Sequence, residues 1–248
     1  MVPPSFLVPA PDSRVAYRER GSGPAVVFLH GGTGTGEYDW AFAAEHLADR
    51  YRTVVVDMRG HGETLDPTGE IGMTRFGLDL MHVLRALGLS RAVLVGFSAG
   101  GNTLLHFLSR DPSWATAIVT VGASAEGDAS RVTEIMTGPW PRSLREMPHA
   151  GSKDNPEYWA ELRNALARDW VKNLSLDAGS LSRITCPALV VHGDNDLIQP
   201  LRYSERLVHE LPNAEFALIE NAGHSVHLEH PETFLAVLEA FLARVAHR

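Results

Sequence analysis

A serine between two glycines is the first candidate for chemistry in this sequence. The pentapeptide Gly96-Phe97-Ser98-Ala99-Gly100 follows a short apolar run and precedes a stretch with helical periodicity. A sharp strand-to-helix turn needs small flanking residues so that the serine can adopt a strained backbone and expose its hydroxyl. The structural alternative is a glycine-rich turn in which Ser98 only caps a helix. The strand and helix context favours a nucleophile, and we predict that role for Ser98.

A serine hydroxyl needs a base to take its proton and a carboxylate to orient that base. His224 follows the last predicted strand, in the run Asn221-Ala222-Gly223-His224, and is the candidate base. The loop after the strand that ends near Val191 carries two acids, Asp194 and Asp196. Asp196 is favoured because Gly193 can make the first turn and carry Asp196 further over the sheet edge. Asp194 is then expected to brace its own loop through backbone amides.

Developing negative charge on a substrate carbonyl needs backbone N–H donors that face it. The run His30-Gly31-Gly32-Thr33 ends a predicted strand at the same sheet edge as Ser98. We predict that the N–H groups of Gly32 and Ala99 form this oxyanion hole. A flexible glycine loop is the alternative for residues 31 and 32.

These residues require a sheet whose strand ends converge. Short apolar, β-branched runs are typical of strands buried on both faces, and stretches with helical periodicity lie between them. This alternation predicts an α/β fold with a mostly parallel central sheet and helices on both faces. The predicted strands are Arg14–Arg20 (an antiparallel edge), Ala25–Leu29, Thr53–Val56, Ala92–Val95, Ala117–Val121, Ala188–Val191 and Ala214–Ile219; the predicted helices are Tyr38–Leu47, Arg75–Leu87, Thr103–Leu108, Leu201–Leu211 and Glu232–Val245.

One segment, residues 124–183, breaks this alternation. It has no convincing buried strand and contains several aromatic residues among charges. We predict a helical cap insertion over the carboxyl edge of a core formed by residues 1–123 and 184–248. Trp140, Tyr158 and Trp159 from this segment, together with Phe97, are candidates to line a substrate pocket, although aromatic residues at helical spacing more often belong to a core.

Together these motifs resemble the α/β-hydrolase superfamily over nearly the whole chain. The resemblance also includes Asp57-Met58-Arg59-Gly60-His61-Gly62, where the arginine and histidine brace loops, and Glu229 and Pro231 after His224. It implies the α/β-hydrolase fold and a Ser98, Asp196, His224 triad. Among its branches the chain is most similar to small esterases, lactonases and amino-acid-ester hydrolases, typified by valacyclovir hydrolase and enol-lactonases.

Composition excludes several other classes of function. The net charge of -8 is spread over the sequence, whereas a nucleic-acid partner requires a clustered basic face. A single cysteine, Cys186, allows no intramolecular disulfide. The sequence has neither a secretory signal nor a run of about 20 apolar residues, so we expect a cytoplasmic protein without a membrane partner. The oligomeric state stays open.

Two apparent ligand motifs fail on their spacing. The glycines of residues 31–36 are followed by Glu37 and Tyr38, whereas a phosphate loop requires Lys and then Ser or Thr. The group His224, His227, Glu229 and His230 matches no metal-ligand spacing. We therefore expect neither a metal nor a cofactor.

The expected reaction is two-step acyl transfer from a small ester-like substrate, a carboxylic ester or a lactone. A triad does not specify the leaving group, so hydrolysis of a carbon–carbon bond is one alternative. A non-catalytic receptor that uses the same pocket for a small molecule is another. Serine at position 98 disfavours the haloalkane dehalogenase and epoxide hydrolase branches, which use aspartate.

Overall fold

A computed structural model describes residues 2–66, 68–137, 156–177 and 179–246. Its eight strands are β1 Phe6–Ala10, β2 Ser13–Arg20, β3 Ala25–Leu29, β4 Arg52–Val56, β5 Ala92–Phe97, β6 Ala115–Val121, β7 Ala188–Gly193 and β8 Ala214–Ile219. They form one sheet in the order β1-β2-β4-β3-β5-β6-β7-β8. The pairings of β1 with β2 and of β2 with β4 are antiparallel, and all the others are parallel.

The predicted sheet with helices on both faces is confirmed. The helices of the described residues are α1 Gly36–Leu47, α2 Met73–Ala86, α3 Ala99–Arg110, α4 Ala129–Thr137, α5 Pro156–Asn173, α6 Leu201–Glu210, α7 Val226–Glu229 and α8 Pro231–Val245. Short 3-10 helices lie at Pro112–Trp114 and Leu181–Arg183. None of the helices in the described ranges is both long and apolar enough to cross a membrane.

The central strands β3 and β5 have no polar side chain because each divides its side chains between two cores. In β3, Val27 and Leu29 belong to the core that contains α2, α3 and α6. Val26 and Phe28 belong to the opposite core, with α1 and α8. Successive side chains of a strand point to opposite faces, so a sheet covered on both faces needs apolar residues at every position.

The strand order brings the candidate residues together. Strand β3 lies between β4 and β5, so the chain order of the strands reverses there. In open α/β sheets the ligand site lies at such a switch point, beyond the carboxyl ends of the strands. The loops that follow β3, β5, β7 and β8 carry Gly32, Ser98, Asp196 and His224, respectively.

The described part of residues 124–183 contains the helices α4 and α5, which contact each other. Helix α5 is attached to the core at both ends. Tyr158 Oη donates a hydrogen bond to Gly60 O at 2.7 Å. Near the other end, Asp169 Oδ2 accepts the backbone N–H of Met73 at 2.9 Å and so caps the start of α2.

Candidate active site

Ser98 lies in a strained turn between β5 and α3. Its backbone angles are φ 48° and ψ −115°, and its N–H donates to Val121 O at 2.8 Å. The two neighbouring glycines permit this turn. A Cβ on Gly96 would lie 2.5 Å from Gly101 N, and one on Gly100 would lie 2.5 Å from Leu29 O. Positive φ at a non-glycine residue costs energy that the surrounding structure must supply, a feature typical of functional sites.

Asp196 and His224 form a hydrogen-bonded pair. Nδ1 of His224 lies 2.8 Å from Asp196 Oδ2, and the Asp196 side chain is fully buried. The other carboxylate oxygen, Oδ1, accepts the backbone N–H groups of Ile198 and Gln199, each at 2.8 Å. Burial raises the pKa of Asp196, but the adjacent His224 and these hydrogen bonds outweigh it and leave the pKa below its ordinary value. Asp196 is therefore a carboxylate at neutral pH.

Asp194, the competing acid, is exposed at the surface of the same loop. Its Oδ1 accepts a hydrogen bond from Asn195 Nδ2 at 2.9 Å. The backbone amides of the loop are bound by Asp196 and not by Asp194, contrary to the expectation that Asp194 would brace the loop in this way.

Ser98 and His224 face one cavity. Within the described part of the chain their side chains make no hydrogen bond to each other. Catalytic hydrogen bonds are often long or misaligned until the substrate binds. Because Nδ1 of His224 is engaged by Asp196, its Nε2 is the nitrogen left for Ser98.

The predicted oxyanion-hole residues are neighbours. A Cβ built on Gly32 would lie 3.4 Å from Ala99 Cβ. Two buried histidines hold the loop that carries Gly32. His30 Nδ1 lies 2.6 Å from Gly31 O, while its Nε2 accepts the N–H of Met58 at 2.9 Å. His61 Nε2 lies 3.1 Å from Gly32 O, which agrees with a bracing role for this residue.

The cavity wall opposite the sheet comes from α4, α5 and the loop after Asp196. Phe97, a predicted pocket residue, also lines the cavity. Most of the other wall residues are apolar: Val132, Ile135, Met136, Trp170, Leu174 and Ile198.

The cap aromatics predicted for this wall are distributed differently. Trp170 lines the cavity and contacts the oxyanion loop, since a Cβ on Gly32 would lie 3.2 Å from its ring. Sequence reasoning did not select it. Tyr158 instead borders a separate hollow with Asp66 and Ile71. Trp159 is partly buried against the core, with the Arg163 guanidinium 5.9 Å from its ring centre. Trp140 lies outside the described residues.

The histidine-rich run after Gly223 does not converge on a common point. Glu229 accepts the backbone N–H groups of Gly223 and Ser225, and His230 Nε2 lies 3.1 Å from Asn221 O. His227 is buried against the ring of Trp40. The described ranges contain no group of three or more His, Cys, Asp or Glu residues able to hold a metal.

A sequence model of the Alpha/beta hydrolase family matches residues 26–237. The protein belongs to this family, and it is a hydrolase. The chain is 32% identical to a 2-hydroxy-6-oxononadienedioate/2-hydroxy-6-oxononatrienedioate hydrolase of Paraburkholderia phymatum, across 93% of this chain and 91% of that one. It is 27% identical to the serine hydrolase BPHL of Mus musculus, across 91% of this chain and 82% of that one.

Among solved structures, the chain is similar to Est816, described as an N-acyl homoserine lactone degrading enzyme. The TM-score is 0.76 and the identity 25%, with 95% of this chain and 100% of that chain covered. The names of these relatives thus include a hydrolase of oxo-dienedioates and a lactone-degrading enzyme, so they do not agree on one substrate class.

Proposed function

We propose that this protein is a serine hydrolase that cleaves a small carboxylic ester or lactone through an acyl-enzyme on Ser98. One observation carries the proposal: the buried Asp196 carboxylate holds His224 at 2.8 Å, on the wall of the cavity that Ser98 enters from a strained turn. This is the arrangement of nucleophile, base and orienting acid that acyl transfer requires.

Each residue then has one task. Asp196 accepts the Nδ1–H of His224 and so leaves Nε2 unprotonated as the base. Ser98 Oγ attacks the substrate carbonyl as Nε2 takes the hydroxyl proton, and the oxyanion is bound by the N–H groups of Gly32 and Ala99. The imidazolium returns the proton to the leaving alcohol oxygen when the ester bond breaks. Water, deprotonated by the same nitrogen, then attacks the acyl carbon. The bond from this carbon to Ser98 Oγ breaks, the imidazolium returns the proton to Oγ, and the acid is released.

The described cavity wall favours an uncharged acyl group. Its side chains from α4 and α5 are apolar, and neither lysine nor arginine contributes to the wall in the described ranges. A dicarboxylate substrate would have to leave a charge without a cationic partner against this surface, which is costly. Ala99 follows the nucleophile, and its methyl group offers nothing to hold a substrate ammonium.

Carbon–carbon bond hydrolysis is the second candidate, and it is supported by the relative from Paraburkholderia phymatum at 32% identity. The same serine would attack a ketone carbonyl, and the leaving group would be a carbon that must gain a proton. A ring-cleavage dienol diketone, followed through the loss of its visible absorbance, tests this reaction. Turnover of that substrate with kcat/KM above that of every ester would replace the ester proposal.

The ester proposal is tested with p-nitrophenyl esters of increasing acyl length and with a fluorophosphonate. We expect turnover of the esters and intact-mass labelling of Ser98. Ser98→Ala should lose on the order of a million-fold in kcat, since a triad serine contributes about that much. A Ser98→Ala variant with near-normal activity, or a label on another residue, would contradict the assignment.

A further inference from the structure

The helix after the oxyanion loop contains a buried carboxyl group that the proposed reaction does not use. Asp39, in α1, is only 3% exposed. Its Oδ2 accepts the backbone N–H of Gly31 at 2.7 Å. Its Oδ1 is buried and makes no hydrogen bond within the described part of the chain.

Helix capping does not explain this position. Helix α1 begins after Thr35, whose Oγ1 already accepts the N–H of Tyr38 at 3.2 Å. Burial raises the pKa of the Asp39 carboxyl to about 7, although the Gly31 hydrogen bond and the nearby His224 both lower it. The ionised form is thus disfavoured in the fold. A buried charge that weakens stability is more readily understood as part of a site than as a structural support.

The hydrogen bond from Gly31 acts on the peptide planes that aim Gly32. Peptide groups are planar, and the C=O and N–H of a trans peptide point in opposite directions. The C=O of Gly31 and the N–H of Gly32 share one plane, which His30 Nδ1 holds through Gly31 O. Asp39 holds the preceding plane through the N–H of Gly31. Two successive planes are thereby fixed, and with them the direction of the Gly32 N–H.

The same glycine joins this loop to the catalytic histidine. A Cβ on Gly31 would lie 2.7 Å from the Phe97 ring, and that ring lies 5.0 Å from the His224 ring, centre to centre. A shift of Gly31 would therefore disturb both the oxyanion donor and the packing beside His224.

We propose that Asp39 is a positioning residue that holds the oxyanion loop through the N–H of Gly31 and thereby aims the N–H of Gly32 at the reacting carbonyl oxygen. This inference rests on the proposed acyl-transfer function. Asp39 does not touch the substrate. Its effect should be on transition-state stabilisation, and thus on kcat more than on KM.

Two substitutions at position 39 test the proposal. Asp39→Asn keeps a carbonyl oxygen that can accept from Gly31, whereas Asp39→Ala removes it. We expect Asp39→Ala to lose about 10- to 100-fold in kcat with KM within about 3-fold, since small misplacements of a reacting group cost up to about that factor. Affinity for a boronic acid, which forms a tetrahedral adduct on the serine, should fall by a similar factor. Asp39→Asn should restore kcat to within about 5-fold of wild type.

The thermal melting temperature at pH 8 gives an independent measurement. Burial raises the pKa of Asp39 from 3.8 to about 7 in the fold, so the unfolded chain releases this proton first and stability falls as the pH rises between these two values. At pH 8 the full loss of stability is present. Asp39→Asn should therefore melt at or above the wild-type temperature at pH 8, with kcat within about 5-fold of wild type. A residue with a purely structural role would lose stability and activity together.

The matched control is Glu45→Ala, which removes an exposed acid from the same helix and should change neither kcat nor boronate affinity. If Asp39→Ala does not fold, Gly34→Ala replaces it. A Cβ on Gly34 would lie within 2.9 Å of both Asp39 oxygens and displace the carboxylate, so the same loss of kcat is expected. If Asp39→Asn keeps full activity, adding Gly34→Ala to that variant should still lower its kcat, because the new methyl group displaces the amide oxygen that accepts from Gly31.

Two results would overturn the role of Asp39. In the first, Asp39→Ala folds and has the same kcat and boronate affinity as Glu45→Ala. In the second, Asp39→Asn loses as much kcat as Asp39→Ala. Fluorophosphonate labelling of Ser98 in the wild type separates this failure from a failure of the proposed function. If the wild type is labelled and active and Asp39→Ala is unaffected, only the inference about Asp39 is rejected. If the wild type is neither labelled at Ser98 nor able to turn over the esters, the acyl-transfer proposal is rejected, and this inference with it.

Discussion

The ring of His224 lies directly against the backbone of Gly122. A Cβ on Gly122 would lie 3.0 Å from Cε1 and from Nδ1 of that ring. Nδ1 is the nitrogen that faces Asp196. Gly122 follows β6 with φ +54°, and its N–H donates to Val191 O at 3.1 Å. The end of β6 therefore sets the position of the histidine, although β6 itself contributes no side chain to the proposed triad.

Gly122→Ala should displace His224 and reduce kcat by at least about 10-fold, because a small misplacement of a catalytic group has a large effect on rate. Positive φ also costs a residue with a Cβ about 1 to 2 kcal/mol. Gly88→Ala is the matched control. Gly88 has φ +69°, and a Cβ there would have no atom within 4 Å. Both variants should lose similar stability in urea unfolding, and only Gly122→Ala should lose kcat. Equal kcat in the two variants would contradict the prediction.

The two acids of the loop after β7 give a second prediction. Asp196→Asn should lose roughly ten-thousandfold in kcat, since the amide no longer fixes the productive tautomer of His224. Asp194→Asn should stay within about 3-fold of wild type because this side chain is exposed and bonded to Asn195. Steady-state kinetics on a p-nitrophenyl ester, with melting curves to verify folding, compare the two. A severe loss at 194 beside a mild loss at 196 would reverse the assignment.

The central sheet could be predicted because a strand that is buried on both faces is a short, continuous run of apolar residues. The run Ala25–Leu29, which is buried at four of its five positions, has the observed bounds. The predicted strand Ala214–Ile219 also has the observed bounds, although it is a largely unburied edge strand. Glycine spacing likewise predicted the turn at Ser98. The first strand, Phe6–Ala10, was not predicted because it is a mostly exposed edge interrupted by Pro9, without a continuous apolar run.

The wall of the cavity was harder to predict because the position in which a helix packs on the core is set by distant residues and cannot be read from the helix's own sequence. Trp159 and Trp170 are eleven residues apart in α5, so they lie on nearly the same side of the helix and about 16 Å apart along its axis. Only the end of α5 that carries Trp170 reaches Ser98. Asp39 presents a related difficulty. An acid in the first turn of a helix normally complements the helix dipole at the surface, and nothing in the sequence marks this one as buried.

A third prediction concerns His227 and acid stability. The imidazole is 4% exposed, stacked on Trp40 at 4.4 Å and packed against Phe97 at 4.5 Å between ring centres. Neither ring nitrogen has a hydrogen-bond partner in the described residues. Burial, with a smaller effect of His224, lowers the pKa of His227 from 6.5 to about 3.

The unfolded chain therefore binds one more proton than the native protein between these two pH values. The contribution of His227 to stability is complete above pH 6.5 and is lost as the pH falls, by about 1.4 kcal/mol per pH unit down to about pH 3. His227→Phe should reduce the slope of the unfolding free energy against pH in this window by about 1.4 kcal/mol per pH unit, which corresponds to one proton. Urea titrations from pH 7 to 4 measure this slope. The exposed His209→Gln is the control and should keep the wild-type slope. An unchanged slope in His227→Phe would refute the assignment.

The last prediction concerns Arg131, which links the wall of the cavity to the loop of the proposed triad acid. From α4, its Nη2 donates to Leu197 O at 2.8 Å and to Ile198 O at 3.1 Å. Ile198 lines the cavity, and its N–H is bound by Asp196 Oδ1. The next residue in α4, Val132, lines the same cavity. Arg131 thus fixes the distance between the α4 wall and the acid loop.

Arg131→Ala should let α4 move relative to this loop, and shape is what an apolar wall uses to select a substrate. We expect the ratio of kcat/KM for p-nitrophenyl hexanoate over p-nitrophenyl acetate to change by about 3- to 10-fold. The melting temperature should fall by about 2 to 4 °C, as expected for a loss near 1 kcal/mol in a chain of this size. Arg168→Ala removes an exposed arginine from α5 and serves as the control, with both quantities unchanged. A constant ester ratio in Arg131→Ala, beside a lower melting temperature, would mean that the hydrogen bonds of Arg131 stabilise the fold without shaping the pocket.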